Sequence, residues 1–193
     1  MSSGDKGNVP FKYTLAEANK IILLSQVDRY MRRPATVNSR DWDIPYLAGY
    51  SKDGKCIYID RDLQPWFWLG NPVTCNRFLF LHEHVEKSII DALAELQGRE
   101  LQELLILLRM LTKDDEVYYH AHGVATCAEE YGVHLQYGAS GLKSYNRFME
   151  TQIKKAEDER IRRVPADLDM TPYEGSDAKD VKLRRVMEAR MAA

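Results

Sequence analysis

The sequence predicts a predominantly helical α+β fold, a helical bundle carrying a small β-hairpin or antiparallel sheet. Apolar residues recur at helical spacing through much of the chain, from Ile21, Ile22, Leu24 and Val27 to Tyr145, Phe148, Met149, Ile153 and Ala156. Only one stretch, residues 46–63, has the alternation and turn chemistry of paired strands. With 193 residues, 45% of them hydrophobic, the chain is long enough and apolar enough to bury one sizeable core.

The elements follow in order. Thr14 and Glu17 form a capping box after a polar tail, so one helix runs from there to Arg32-Arg33-Pro34. YLAGYSKDGKCIYIDRDL then reads as a hairpin turned at Asp53-Gly54, with Cys56, Ile57, Tyr58 and Ile59 in the returning strand; it is the only convincing strand pair. Asp60-Arg61-Asp62 and Pro65-Trp66-Phe67-Trp68 lead through Gly70-Asn71-Pro72 to the next helix. The tryptophans either line a substrate cleft or cover the core where hairpin meets helices.

That helix is expected from about Val73 to Leu96, with Gly98 at its end. LQELLILLRML follows as a short, strongly apolar helix central to the bundle. Residues 112–133 make another, opened by Thr112 with Asp115 and carrying a small-residue stripe of Val117, Ala121, Val124, Ala125 and Ala128. Tyr137 to Gly141 is a turn, and a long amphipathic helix after it ends in the charged run KKAEDERIRR, which is expected to project into solvent.

Residues 1–165 thus read as a single helical domain with an N-terminal tail and hairpin, and residues 166–193 as a C-terminal extension with a terminal helix. Val181, Met187 and Met191 of that helix offer apolar contacts to the core, another copy of the chain or a protein partner. Lys182, Arg184 and Arg185 suit an acidic partner, and the alternative is a loosely held, solvated tail.

Composition narrows the function. A formal charge of -2 gives no general attraction to nucleic acid. The three cysteines, Cys56, Cys75 and Cys127, are odd in number and widely spaced, which fits neither a zinc knuckle nor a disulfide framework and points to a reducing interior. MSSGDKGNVP lacks the basic and apolar regions of a signal peptide, and no apolar run is long enough to span a bilayer, so a cytoplasmic protein without a membrane partner is expected.

The strongest chemical signal is His82-Glu83-His84-Val85-Glu86. On a helix His82 and Glu86 stand one turn apart on one face, where imidazole and carboxylate can close on one ion; Glu83 points about 100° away, close enough to act on a water there. A zinc or iron site needs further ligands. Four of the five histidines fall in two His-x-His clusters, and the second is His120-Ala121-His122. Small Ala121 and Ala125 would let the two helices approach. His82, Glu86 and His122 are therefore the candidate ligands, and Glu129, two turns beyond His122, is either a fourth ligand or an outer acceptor that orients an imidazole. His120 competes with His122, since the two rings diverge on a helix. His84 is expected to face solvent or a loop, and Asp60 or Asp62 are loop ligands or local ion-pair partners.

At these residues the sequence resembles the zincin metallopeptidases, whose helix carries a histidine, a glutamate, two variable residues and a second histidine. The resemblance matches His82 to the first ligand and Glu83 to the general base, while Glu86 stands where the family has its second histidine. It implies one divalent metal, zinc first and iron as the alternative, and metal-assisted hydrolysis of a substrate not identified by the sequence, a peptide among the candidates. The ion would lower the pKa of a water whose proton Glu83 accepts, and Tyr118, Tyr119 or Tyr137 would donate to the developing oxyanion. The alternatives are a non-haem iron or di-iron carboxylate protein, drawing also on Glu116, His120 and Glu130, and a non-catalytic, metal-stabilised interaction or scaffold protein.

Overall fold

The computed structural model describes residues 12–110, 117–156, 161–173 and 178–191. It is a predominantly helical α+β fold of six α-helices and two small sheets among the described residues. The N-terminal capping box forms: the Glu17 amide donates to Thr14 Oγ1 at 3.3 Å and the Thr14 amide to Glu17 Oε2 at 2.7 Å. The helix it opens is split, however, into α1 (Leu15–Ile22) and α2 (Ser25–Met31) by extended backbone at Leu24. Ile21 and Val27 both need burial, yet six positions apart on one helix they would face roughly 120° away from each other; the break lets both reach the core.

The hairpin expected around Asp53-Gly54 is β2 (Ala48–Tyr50) against β3 (Cys56–Ile59), antiparallel, with Gly54 at φ 70. A third strand, β1 (Thr36–Asn38), joins β3 in parallel, giving the order β1-β3-β2. The single strand pair expected from sequence is also corrected by a second hairpin, β4 (Trp66–Trp68) and β5 (Asn71–Val73). Its two-residue turn, Leu69-Gly70, has φ of 49 and 81, the left-handed pair that matches strand twist. Pro72 has no amide to donate, but β5 is paired on one side only and tolerates it. Because Val73 is in that strand, the next helix, α3 (Asn76–Glu95), starts three residues later than expected.

Gly98, at φ 57, opens α4 (Gly98–Leu107) instead of only closing α3. α4 is not central: Leu104 and Leu105 turn inward, while Ile106 is 66% exposed, so only one face is buried. α5 (Val117–Ala156) is interrupted at Gly138, within the expected Tyr137–Gly141 turn. Tyr145 bonds to Glu129 at 2.6 Å and Asn146 to Glu130 at 2.8 Å, pairs that a straight helix would hold ~24 Å apart, so the chain reverses at Gly138 into a helical hairpin. The cap proposed at Thr112 and Asp115 lies outside the described residues.

Gly138 has φ 67 and ψ -175, a combination open in practice only to glycine. A Cβ there would meet nothing within 4 Å, so backbone strain alone opposes a side chain. Gly138→Ala is expected to lower stability by about 1–3 kcal/mol in chemical denaturation. An unchanged midpoint would mean that the reversal does not depend on this conformation.

Three apolar clusters hold these elements. The first joins α1, α2, α3, α4 and the first arm of α5 through Ile21, Val27, Val85, Ile89, Leu104, Ala121, Val124 and Ala125. A second fills the space between the hairpins, α3 and both arms of α5 around Trp66, whose ring meets Trp68, Tyr137 and Tyr145 edge-on or tilted. Of the two expectations for the tryptophans, Trp66 is core.

The third cluster lies over the other side of the three-stranded sheet. Ile161, Val164 and Leu168 join Ile44, Tyr58 and Tyr173 there, and Leu183 and Met187 of α6 (Ala178–Met191) cover them. Residues 161–173 run along the sheet: the Lys52 amide donates to Asp167 O and the Asp169 amide to Tyr50 O, both at 2.8 Å, and Asp43 Oδ2 accepts the amides of Arg162 and Arg163. The end of the charged run is thus tied, at Arg162 and Arg163, to Asp43 in the connection between β1 and β2; residues 157–160 lie outside the described residues. Among the described residues no helix is long and apolar enough to cross a membrane.

Candidate metal centre

α3 and the first arm of α5 lie side by side, and the small side chains of Ala121 and Ala125 share a buried cluster with Val85 and Ile89. That close approach brings His82 and Glu86 of α3 to His122 of α5, in the register expected from the sequence. One donor atom from each of the three falls within 4.8 Å of the other two. His82 Nε2 is 3.6 Å from Glu86 Oε2 and 3.0 Å from His122 Nδ1, and His122 Nδ1 is 2.8 Å from Glu86 Oε2. Nitrogen and oxygen ligands at zinc bond lengths stand ~3.3 Å apart at tetrahedral angles, so the three atoms already lie near the spacing an ion would impose.

Glu129 stands behind this triangle. Its Oε2 is 2.7 Å from His82 Nδ1, the ring nitrogen facing away from Glu86 and His122, so of the two roles open to it the outer acceptor is the one its position fits. Tyr145 donates to Glu129 Oε1 at 2.6 Å, and Tyr50 on β2 donates to Glu86 Oε1 at 3.0 Å, so the second oxygen of each carboxylate is also held. Next along α3, Lys87 pairs with Asp169 at 2.9 Å and Asp91 at 3.0 Å, tying the site helix to the C-terminal segment.

The electrostatics favour a cation. Glu83, Glu86 and Glu129 are all buried. Burial and the neighbouring Glu86 push the Glu83 carboxyl up to about 8, and among the described residues it has no hydrogen-bond partner. Burial also works against the charge on Glu86, but its bonds to His122 and His82 outweigh this and hold it down at about 2. For His82 burial disfavours the imidazolium, yet the bonds to Glu129 and Glu86 raise its pKa well above the usual value. A proton on His82 therefore does part of what a metal ion would do, offsetting the buried carboxylates.

The other candidates are placed elsewhere. His120 is buried, with its Nδ1 against the Tyr13 hydroxyl, which also donates to Leu108 O at 3.0 Å; this ring braces α1 against α5 and leaves the third position to His122. His84 does not face solvent: it is buried, its Nε2 lies 2.9 Å from Met31 O at the end of α2, and its ring stacks on Phe80. Asp60 accepts the amides of Ile44 and Asp62 and orders its own loop. Tyr118 stacks on His122 at a ring separation of 5.7 Å, Tyr119 packs edge-on against Tyr118, and Tyr137 packs between Trp66 and Phe78 and accepts from Arg77 at 2.7 Å. Of the three tyrosines, Tyr118 is beside the triangle.

The sequence reading missed Tyr50 and Tyr145. Nothing local marks a tyrosine on a strand as a partner of Glu86. Tyr145 had a signal: it and Glu129 lie at similar distances along the chain on either side of the Gly138 turn, which makes them neighbours in a helical hairpin. Fold and site together define a predominantly helical α+β protein with a buried histidine and carboxylate cluster between two packed helices. No family model, curated protein or solved structure matches the chain.

Proposed function

We propose that this chain is a metal-dependent hydrolase of the cytoplasm in which His82, Glu86 and His122 hold one divalent ion, zinc before iron. The convergence of these three donors beside Glu83, a buried carboxyl with no hydrogen-bond partner among the described residues, carries the reading. Two imidazoles and one carboxylate are a donor set that catalytic zinc sites use, and three protein ligands leave a position for water and substrate, whereas a structural zinc is closed by four. His122, with 37% of its side chain exposed against 2% for Glu86, marks the side from which substrate would enter.

The ion would supply Lewis acidity, activating water and polarising the attacked carbonyl. Glu83 takes the proton from the attacking water and passes it to the leaving group, work that suits a carboxyl whose affinity for a proton burial has raised. Tyr118, stacked on His122 at the exposed edge, is the choice for hydrogen bonding to the oxyanion. Glu129 acts only through His82. The zincin resemblance of His82-Glu83-His84-Val85-Glu86 makes a peptide or another amide or ester the substrate class.

Two imidazoles and a carboxylate are also the ligand set of mononuclear non-haem iron sites, which favours an iron reading as the second choice. A di-iron site gains no such support, because one group of this kind is found among the described residues. The test is cleavage of a mixed peptide pool, read by mass spectrometry, using chelator-treated protein before and after zinc is restored. Cleavage that appears only with the ion is expected. Cleavage unaffected by the chelator, or none with zinc at any pH from 6 to 9, would contradict the hydrolase reading.

A further inference from the structure

We propose that Tyr145 is a positioning residue that selects, through residue 129, which nitrogen of His82 is free to bind a ligand; the inference rests on the metal reading for its function but not for its test. Glu129 Oε2 lies 2.7 Å from His82 Nδ1, a contact in which the carboxylate accepts and Nδ1 donates, so Nε2, which faces Glu86 and His122, is the nitrogen that gives up its proton to take a ligand. Tyr145 completes the arrangement by donating to the other oxygen, Oε1, at 2.6 Å. Its ring is fully buried against Trp66 and Phe78, which holds the hydroxyl oxygen in place, and among the described residues residue 129 is the one acceptor its proton has. In the native protein the two carboxylate oxygens are equivalent, and this fixed donor costs nothing. With an amide at position 129 it becomes decisive.

In Glu129→Gln the Tyr145 hydroxyl captures the amide oxygen, which turns the amide nitrogen toward His82. Two donors then face each other at Nδ1, or the ring moves its proton to Nε2 and loses the lone pair a metal needs. Removing the hydroxyl frees the amide to rotate and offer its oxygen to Nδ1. Tyr145→Phe is thus expected to harm the native protein yet rescue Glu129→Gln, a reversal of sign that a purely packing role for either residue would not produce.

The four proteins, native, Y145F, E129Q and the double variant, are compared by thermal midpoint without metal and by zinc affinity against a chelating dye. Zinc affinity should fall about 10-fold in Y145F and about 100-fold in E129Q, and recover about 10-fold from E129Q to the double variant. The metal-free midpoint should also rise from E129Q to the double variant, because His82 donates from Nδ1 there as well. Rescue of the midpoint in a protein that binds no zinc would uphold the role of Tyr145 and overturn the metal reading. A double variant no better than E129Q in either measurement, with zinc bound by the native protein, would overturn the inference alone.

Discussion

Replacing His82 by alanine is expected to remove stoichiometric metal from the protein, while His84→Ala and His120→Ala, each two positions from a proposed ligand, leave it in place. His82 supplies one of the three donor atoms of the triangle, and Glu86 and His122 alone offer two donors, too few for a tight site. Losing one of three ligands should weaken zinc binding by at least about 100-fold, since even outer partners of such ligands cost 10–100-fold. His84 and His120 are controls of a demanding kind. Both are buried and hydrogen-bonded, so their loss should lower stability without touching the ion. Elemental mass spectrometry on protein purified without a metal-affinity tag or chelator, then reconstituted with zinc or iron, measures the difference. Metal retained when both His82 and His122 are alanine would contradict the ligand set, and none in native protein after reconstitution would leave a scaffold role as the better description.

The second large effect is on turnover. Glu83→Gln keeps the size and burial of the side chain and removes its capacity to take a proton. Activity should fall about 10²–10⁴-fold with metal content unchanged, because general-base catalysis by a positioned group contributes on that order. Glu83 makes none of the contacts that join His82, Glu86 and His122, so loss of metal in the same variant would instead place it among the ligands. Activity within about tenfold of native would remove Glu83 from the role of base. The loss should appear in kcat, with KM little changed, since the glutamine removes a proton transfer and leaves the entrance at His122 intact.

Much of this site was legible because helix geometry is regular. One turn separates His82 from Glu86, so their shared face followed from spacing alone, and the small side chains at Ala121 and Ala125 gave the reason α3 and α5 approach. The Asp53-Gly54 hairpin and the reversal near Gly138 were legible from turn chemistry for the same reason: few residues tolerate those backbones. The second hairpin was not, because a leucine at positive φ and a proline in a strand both argue against what the chain does at Leu69 and Pro72. What decided between His120 and His122 also lay far away. Tyr13 occupies the His120 ring from just before α1, and Met31 occupies His84 from the end of α2, contacts that no local pattern encodes. Tyr50 and the Lys87–Asp169 pair depend in the same way on the sheet and the C-terminal segment packing beside α3.

The most direct measurement is anomalous X-ray scattering from crystals grown with zinc, recorded on both sides of the zinc absorption edge. A single strong peak bonded by His82 Nε2, Glu86 and His122, with Glu129 against His82 Nδ1 and outside bonding distance of the ion, is the expected result. A peak elsewhere, or full zinc occupancy at surface residues with this triangle empty, would contradict the metal centre and the hydrolase built on it.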